Sequence, residues 1–468
     1  MTDAAATRAG TWRELLGPEH LGAATVLAGG VALYATNEFV TISLLPSVVA
    51  DIGGQRLYAW VTTVYLVGSV VAATTVNSLL LRLGPRWSYL LGLAVFGLGS
   101  LACALAPNME LLLVGRTVQG VAGGLLAGLG YAVISAALPS SLWPRASALV
   151  SAMWGVGTLV GPGAGGLFAQ FGIWRWAFAV LVILTAAMAV LVPLALPSRS
   201  AAESAQDGRN RTRVPVWSLL LLGAAALAVS VAGIPRNPAE TAGLLVVGAG
   251  LVGAFVFVDR RMSAAVLPPS TFGTGPLKWI YLTLGLLMAA TMADMYVPFF
   301  GQRLAHLTPV VAGFLGATLA IGWTVGEIGS ASVNKRRVIV RMVTAAPLVM
   351  ATGLVLAAIA QIDDTPVGLV ALWAVGLLIT GAGVGIAWPH LSAWAMGCVD
   401  DPAESAAAAA AINTVQLICG AFGAGLAGVV VNMTDRGDAT AARWLSAVFA
   451  VFAATGWVAS RRSGREQS

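Results

Sequence analysis

Residues 157–166 read GTLVGPGAGG. Gly157, Gly161 and Gly165 recur at four-residue spacing, which puts bare backbone along one face of a helix and lets another helix approach closely. Pro162 removes a backbone donor and bends the helix. The string lies in an apolar run, 143–170, and about 20 such residues suffice to cross a bilayer. Taken alone, the GxxxG spacing is a packing signal found in many membrane proteins. Gly161-Pro162 followed by Gly165-Gly166 makes the whole string far more specific.

The rest of the chain agrees with a membrane setting. It has 468 residues and only 10% charged residues, against about 25% in a soluble domain. Its mean hydropathy is +0.85. Fourteen stretches are long and apolar enough to span: 21–47, 58–81, 87–106, 109–138, 143–170, 175–197, 216–234, 241–258, 277–300, 309–333, 339–361, 366–394, 405–431 and 441–460. These predict an all-α polytopic membrane protein with 14 transmembrane helices. Residues 1–197 would form an N-terminal six-helix bundle and 198–215 a basic cytoplasmic linker. An inserted two-helix hairpin would occupy 216–258, a C-terminal six-helix bundle 259–460, and a cytoplasmic tail 461–468. Fourteen spans place both termini on one side. That side collects Arg82, Arg86, Arg145, Arg260, Arg261, Lys335, Arg336 and Arg337, while the other holds Arg56, Arg175, Arg236, Arg303, Arg436 and Arg443. The bias marks the terminal side as cytoplasmic. The net charge of +6 therefore belongs to membrane orientation and predicts no nucleic-acid partner. The polar start predicts no cleavable signal peptide, the first span acting as an uncleaved anchor. Cys103, Cys398 and Cys419 have no metal-ligand spacing, and no metal or bound cofactor is expected.

Four charges fall inside spans: Glu38, Asp294, Glu327 and Arg116. A charge in hydrocarbon costs roughly 2.5–3.5 kcal/mol on insertion scales, so it marks an ion or substrate path unless it is structurally paired. A carrier driven by protons needs a carboxyl that titrates as access changes. Arg116 stays charged and would compete for such a carboxylate. The plainer reading makes each acid a structural hydrogen-bonding group. For Glu327 it is an ion pair with Lys335, Arg336 or Arg337. His390 beside Pro389 reads as a satisfied structural histidine. His20 and His306 carry no signal.

The string Gly157-x-x-x-Gly161-Pro162-x-x-Gly165-Gly166 resembles the fifth-helix antiporter motif of the major facilitator superfamily. Arg116-Thr117-Val118-Gln119-Gly120 resembles its RxxQG motif, whose arginine is linked to proton coupling. The loop 77–86 is similar to the GxLxDRxGRR gating loop through Leu79, Arg82, Gly84 and Arg86. It departs at Asn77, Leu81 and Pro85, and Leu81 replaces an aspartate that helps latch the inner gate in the family. Trp174-Arg175-Trp176, Tyr296-Val297-Pro298 with Gln302, and Asn413-Thr414 with Gln416 and Gly420 resemble signatures of the drug:proton antiporter group with fourteen helices. That group carries an aspartate in the first helix; Asn37 stands there and Glu38 follows, an acid displaced by about 100° around a helix.

The resemblance implies two six-helix bundles of major facilitator type and a secondary active transporter working by alternating access. It implies export of amphiphilic drugs or other small molecules, with the proton as coupling ion, from the cell (plasma) membrane, by a monomer. Residues placed on the cavity helices are Tyr34, Phe39, Gln119, Tyr131, Tyr296, Phe299, Trp388, Asn413 and Gln416. Aromatic rings there could stack on flat or cationic substrates, or simply pack and anchor to lipid. The same fold could instead move a lipid or glycolipid, and the sequence does not separate the two cargoes. An enzyme is excluded by the lack of catalytic company around Asp363-Asp364 and Asp400-Asp401. A passive channel is excluded by the lack of a pore ring.

Overall fold

The computed structural model describes residues 11–196, 215–262, 265–399, 402–434 and 437–465. The linker assigned to 198–215 and the pair Asp400-Asp401 lie outside the described residues, Pro215 excepted. After a one-turn helix at Trp12–Leu15, long helices follow. They are α1 (Leu21–Ile52), α2 (Tyr58–Ala73), α3 (Val76–Ala104), α4 (Met109–Ala132), α5 (Trp143–Gln170), α6 (Trp174–Ala195), α7 (Val216–Val231), α8 (Pro238–Asp259), α9 (Leu277–Leu304), α10 (Pro309–Ala331), α11 (Arg336–Ala360), α12 (Val367–Gly397), α13 (Pro402–Asn432) and α14 (Asp438–Arg465).

Twelve helices among the described residues are long and apolar enough to cross a membrane. The two outside that set are α5, which has 28 residues but many small and polar ones, and α7, with 16 residues. Boundaries differ from expectation in three places. The second span does not run unbroken to residue 81. It turns at Thr74–Thr75, and Gly84 (φ 75°) breaks α3 near its start. The ninth helix is interrupted by a 3-10 turn, Met292–Tyr296, which carries Asp294. The last helix continues to Arg465, through much of the expected tail.

Packing has an internal repeat. In the first set α1 packs on α4, α5 and α6, α2 on α4, α3 on α4 and α6, and α5 on α4 and α6. Shifting each helix number by eight gives the contacts of the second set: α9 on α12, α13 and α14, α10 on α12, α11 on α12 and α14, and α13 on α12 and α14. The two sets meet along two seams, α5 on α10 and α2 on α13, which the same shift exchanges. Bare backbone makes the tightest crossings possible. A Cβ on Gly68 would lie 3.0 Å from the Thr117 carbonyl oxygen, and one on Gly326 would lie 3.0 Å from that of Ala382. Outside the repeat stand α7 and α8, packed on each other. Of the two, α7 also lies against both α2 and α13, along their seam.

Candidate functional site

The motif helix α5 fills one seam through its glycines. A Cβ on Gly157 would lie 2.8 Å from that of Ala35, and one on Gly161 would collide with Phe39. Gly165 faces the Val40 carbonyl of α1, whereas Gly166 faces Val310 of α10. Across the same seam, Gly313 of α10 packs on Ser43 and on the Pro162 carbonyl. The glycine face thus lets α5 fit between helices of opposite sets.

Between α2, α3 and α4 lies a buried polar cluster around Arg116. This side chain is 1% exposed. Its Nε donates to the Val61 carbonyl at 3.3 Å, and its Nη1 donates to Gln119 Oε1 at 2.9 Å. The guanidinium carbon sits 4.1 Å from the centre of the Tyr65 ring. Gln119 is anchored in turn by donating to Ser100 Oγ at 2.9 Å. Cys103 Sγ lies 3.5 Å from Gln119 Oε1, a packing position for that thiol. Among the described residues no carboxylate pairs with Arg116. Hydrogen bonds to a carbonyl and an amide oxygen, with a cation–π contact to the Tyr65 ring, fix the charge in place without a salt bridge.

Glu38 is the acid nearest that charge. It lies within electrostatic range of Arg116, and also of Asp294, which the α9 break brings in from the second set. Both acids are partly accessible. Their neighbour Asn37, at the position where the resembled group has its aspartate, is fully buried. The one-residue displacement therefore moves the acid from the packed side of α1 to its open side. Tyr34 stacks on Tyr65, with centroids 5.5 Å apart, and meets Trp154 edge-on at 5.4 Å.

Other expected cavity residues do not join this cluster. Tyr296 and Phe299 are buried in an aromatic plug with Tyr58 and Phe300; Tyr58 and Tyr296 stack at 4.6 Å. The Tyr58 hydroxyl donates to the Met295 carbonyl at 3.2 Å, closing the end away from the termini. Beyond the plug lies a hollow of about 470 Å³ lined by Pro46, Val49, Phe299, Gln302 and Arg303. Phe39 covers Gly161. Tyr131 is 44% exposed and shares a hydrogen bond with Ser151 at 2.9 Å. Asn413 is exposed and Gln416 half-buried.

Glu327 belongs to a separate group. Trp323 Nε1 donates to its carboxylate at 3.0 Å, and the Trp323 and Trp388 rings lie 5.3 Å apart. The ion pair with Lys335, Arg336 or Arg337, the plainer reading of Glu327, does not form among the described residues; the carboxylate instead accepts from the indole one turn away on the same helix. His390, read as a satisfied histidine, is buried, and its Nε2 has no partner among the described residues.

In the gating loop, Gly84 supplies the left-handed φ that turns the chain, a conformation other L-residues rarely adopt. Arg86 then donates to the carbonyls of Pro193 and Leu196 at the end of α6. Near the far end of α1, Trp174 and Arg175 both donate to Asp51, at 3.0 and 2.6 Å. The residues that sequence reasoning missed are Tyr58, Tyr65, Trp154 and Trp323. Each is an aromatic in an apolar run, and no local pattern separates such rings from ordinary packing.

Comparison with known proteins bears on this arrangement. The Major Facilitator Superfamily profile matches residues 27–424. A Mycobacterium tuberculosis protein named "Probable multidrug-efflux transporter" is 66% identical over 456 residues, 97% of each chain. The Bacillus subtilis "Multidrug transporter protein MdtP" is 24% identical over 395 residues, 83% of this chain and 71% of that one. Among solved structures, a D-xylose-proton symporter superposes with a TM-score of 0.64 at 14% identity, covering 93% of this chain and 97% of the other. The nucleoside transporter NupG gives 0.65 at 14% identity, with 94% and 98% covered. These structural likenesses speak to the fold. The chain belongs to the Major Facilitator Superfamily.

Proposed function

We propose that this protein is a secondary exporter that moves amphiphilic small molecules outward in exchange for protons, by alternating access. The observation that carries the reading is the trio Glu38, Arg116 and Asp294. One acid comes from each helix set, and a fixed cation with no salt bridge among the described residues stands beside one of them. Protonation of Glu38 or Asp294 would weaken its attraction to Arg116 or its repulsion of the other acid. Either change alters the balance of forces across the seam. The relative at 66% identity, named for multidrug efflux, supports the cargo class. None of the relatives named above is named for a lipid cargo.

In this reading α1–α6 and α9–α14 are the two rocking bundles, with α7 and α8 an inserted hairpin and fourteen spans in all. Both termini face the cytoplasm, the protein sits in the plasma membrane as a monomer, and the proton is its sole coupling ion. The conformation described is one of two: the hydrogen bonds from Tyr58 to the Met295 carbonyl and from Asn432 to the Arg56 carbonyl join the sets at the end away from the termini.

The test is transport in inverted vesicles holding the purified protein, with a panel of fluorescent amphiphilic dyes. Imposing a proton gradient should drive dye accumulation, and dye addition should release protons. Accumulation unaffected by collapse of the gradient would overturn the proton coupling.

A further inference from the structure

The end of α7 touches both sides of the α2–α13 seam within a single turn. On the α2 side, Trp60 Nε1 donates to the Ser230 carbonyl at 3.1 Å, and Ser230 Oγ donates to Thr63 Oγ1 at 3.1 Å. Just beyond, Arg56 Nη1 donates to the Ile234 carbonyl at 3.0 Å. On the α13 side, Asn432 Nδ2 donates to the Gly233 carbonyl at 3.1 Å. The same Nδ2 donates to the Arg56 carbonyl at 2.9 Å, so one amide bridges α13, the α7 turn and the start of α2. Packing on the α13 side leaves no slack: a Cβ on Gly425 would lie 2.7 Å from Ser230 Oγ, and one on Gly233 would lie 3.1 Å from the Val429 nitrogen. Ser230 is 3% exposed.

We infer that the turn Ser230–Ile234 is a clasp that holds the outer ends of α2 and α13 together, making Ser230, Trp60 and Asn432 positioning residues for the outer gate. Opening that end means parting α2 from α13. The segment cannot follow both, so its bonds to one partner must break before the aromatic plug can separate. The α2 side is the one that can release: its links are hydrogen bonds that water can replace, whereas the α13 side is held by close backbone packing. The hairpin that lies outside the internal repeat thereby biases the equilibrium toward the state sealed at this end. This inference rests on the alternating-access reading.

The experiment is pulsed electron–electron distance measurement on the full-length protein in lipid nanodiscs. One spin-label pair, at Gln55 and Val367, reports the outer ends. A second, at Leu83 and Val338, reports the terminal ends. Ser230→Ala combined with Trp60→Phe removes two of the α2 bonds and leaves the backbone packing of Gly233 on Val429 of α13 intact. With two hydrogen bonds lost, the outer-open fraction should rise by about tenfold relative to the sealed fraction. The terminal pair should shorten reciprocally. Ser218→Ala, at the opposite end of α7, serves as the control and should leave both distributions unchanged. If the double variant keeps the parent's outer distribution while the parent itself responds to acid and alkaline buffer, the clasp is wrong and alternating access stands. If neither pair moves in any protein at any pH, the alternating-access reading falls and takes the clasp with it.

Discussion

At the scale of single residues, Glu38 and Asp294 matter because they reach the same space from opposite helix sets. If either carries the proton, its amide is a permanent mimic of the neutral form. Glu38→Gln and Asp294→Asn should each abolish uphill dye accumulation while dye binding persists. Glu327→Gln should weaken transport less, since an amide oxygen still accepts from Trp323. Parent-like uphill transport in both of the first two variants would make those acids structural. Arg116→Lys keeps the charge but cannot reach the Val61 carbonyl, Gln119 and the Tyr65 ring at once. We expect about a tenfold or greater loss of transport rate, with dye binding the measurement that separates coupling from affinity. The four charges could be picked out from sequence because charge inside a span is conspicuous, and Gln119 through the resemblance of residues 116–120 to the RxxQG motif. Which way Glu38 faces could not, because Asn37 and Glu38 differ only in where α1 turns its packed side. Tyr58 and Tyr65 were equally hidden, since their roles come from partners remote in the chain.

At the scale of elements, α5 shows how a string of small residues becomes a seam. Gly161→Leu would drive a side chain into Phe39 on α1. Overpacking costs about 1–3 kcal/mol, so the variant should insert and fold yet lose most transport. Membrane-fraction abundance and dye efflux, measured together, check this, and normal efflux would refute the close-packed reading of the motif. Hydropathy located the twelve long apolar helices well because a span must be apolar whatever it packs against. It missed the 3-10 turn at Met292–Tyr296 and the turn at Thr74–Thr75. Both lie in apolar sequence, and at Met292–Tyr296 the backbone is shaped by packing: Tyr296 stacks on Tyr58. The ion pair expected at Glu327 failed for a related reason: proximity in sequence to basic residues said nothing about the indole one turn away.

At the scale of the whole molecule, the eight-helix shift that maps one set onto the other is visible only in contacts, not in residue identities. Topology is its simplest test. Single cysteines at Asp363 and at Leu83 should react with a membrane-impermeant thiol reagent from opposite faces, Asp363 from outside and Leu83 only after permeabilisation. Labelling of both from one face would break the assignment.

The brevity of α7 has a consequence for the lipid around it. Sixteen residues make a helix of about 24 Å at roughly 1.5 Å per residue, short of the ~30 Å hydrocarbon layer. Its partner α8 is mostly unburied by protein, so in the fourteen-span reading this corner of the molecule would meet acyl chains directly. In that reading the bilayer would thin there to match it, at a modest cost for each ångström of mismatch. Thickness then becomes an input to the carrier: reconstituted in phosphatidylcholines of increasing chain length, its transport rate should pass through a maximum at short-to-medium chains and fall in thick bilayers. A rate flat across the series would show that the annulus does not feel α7.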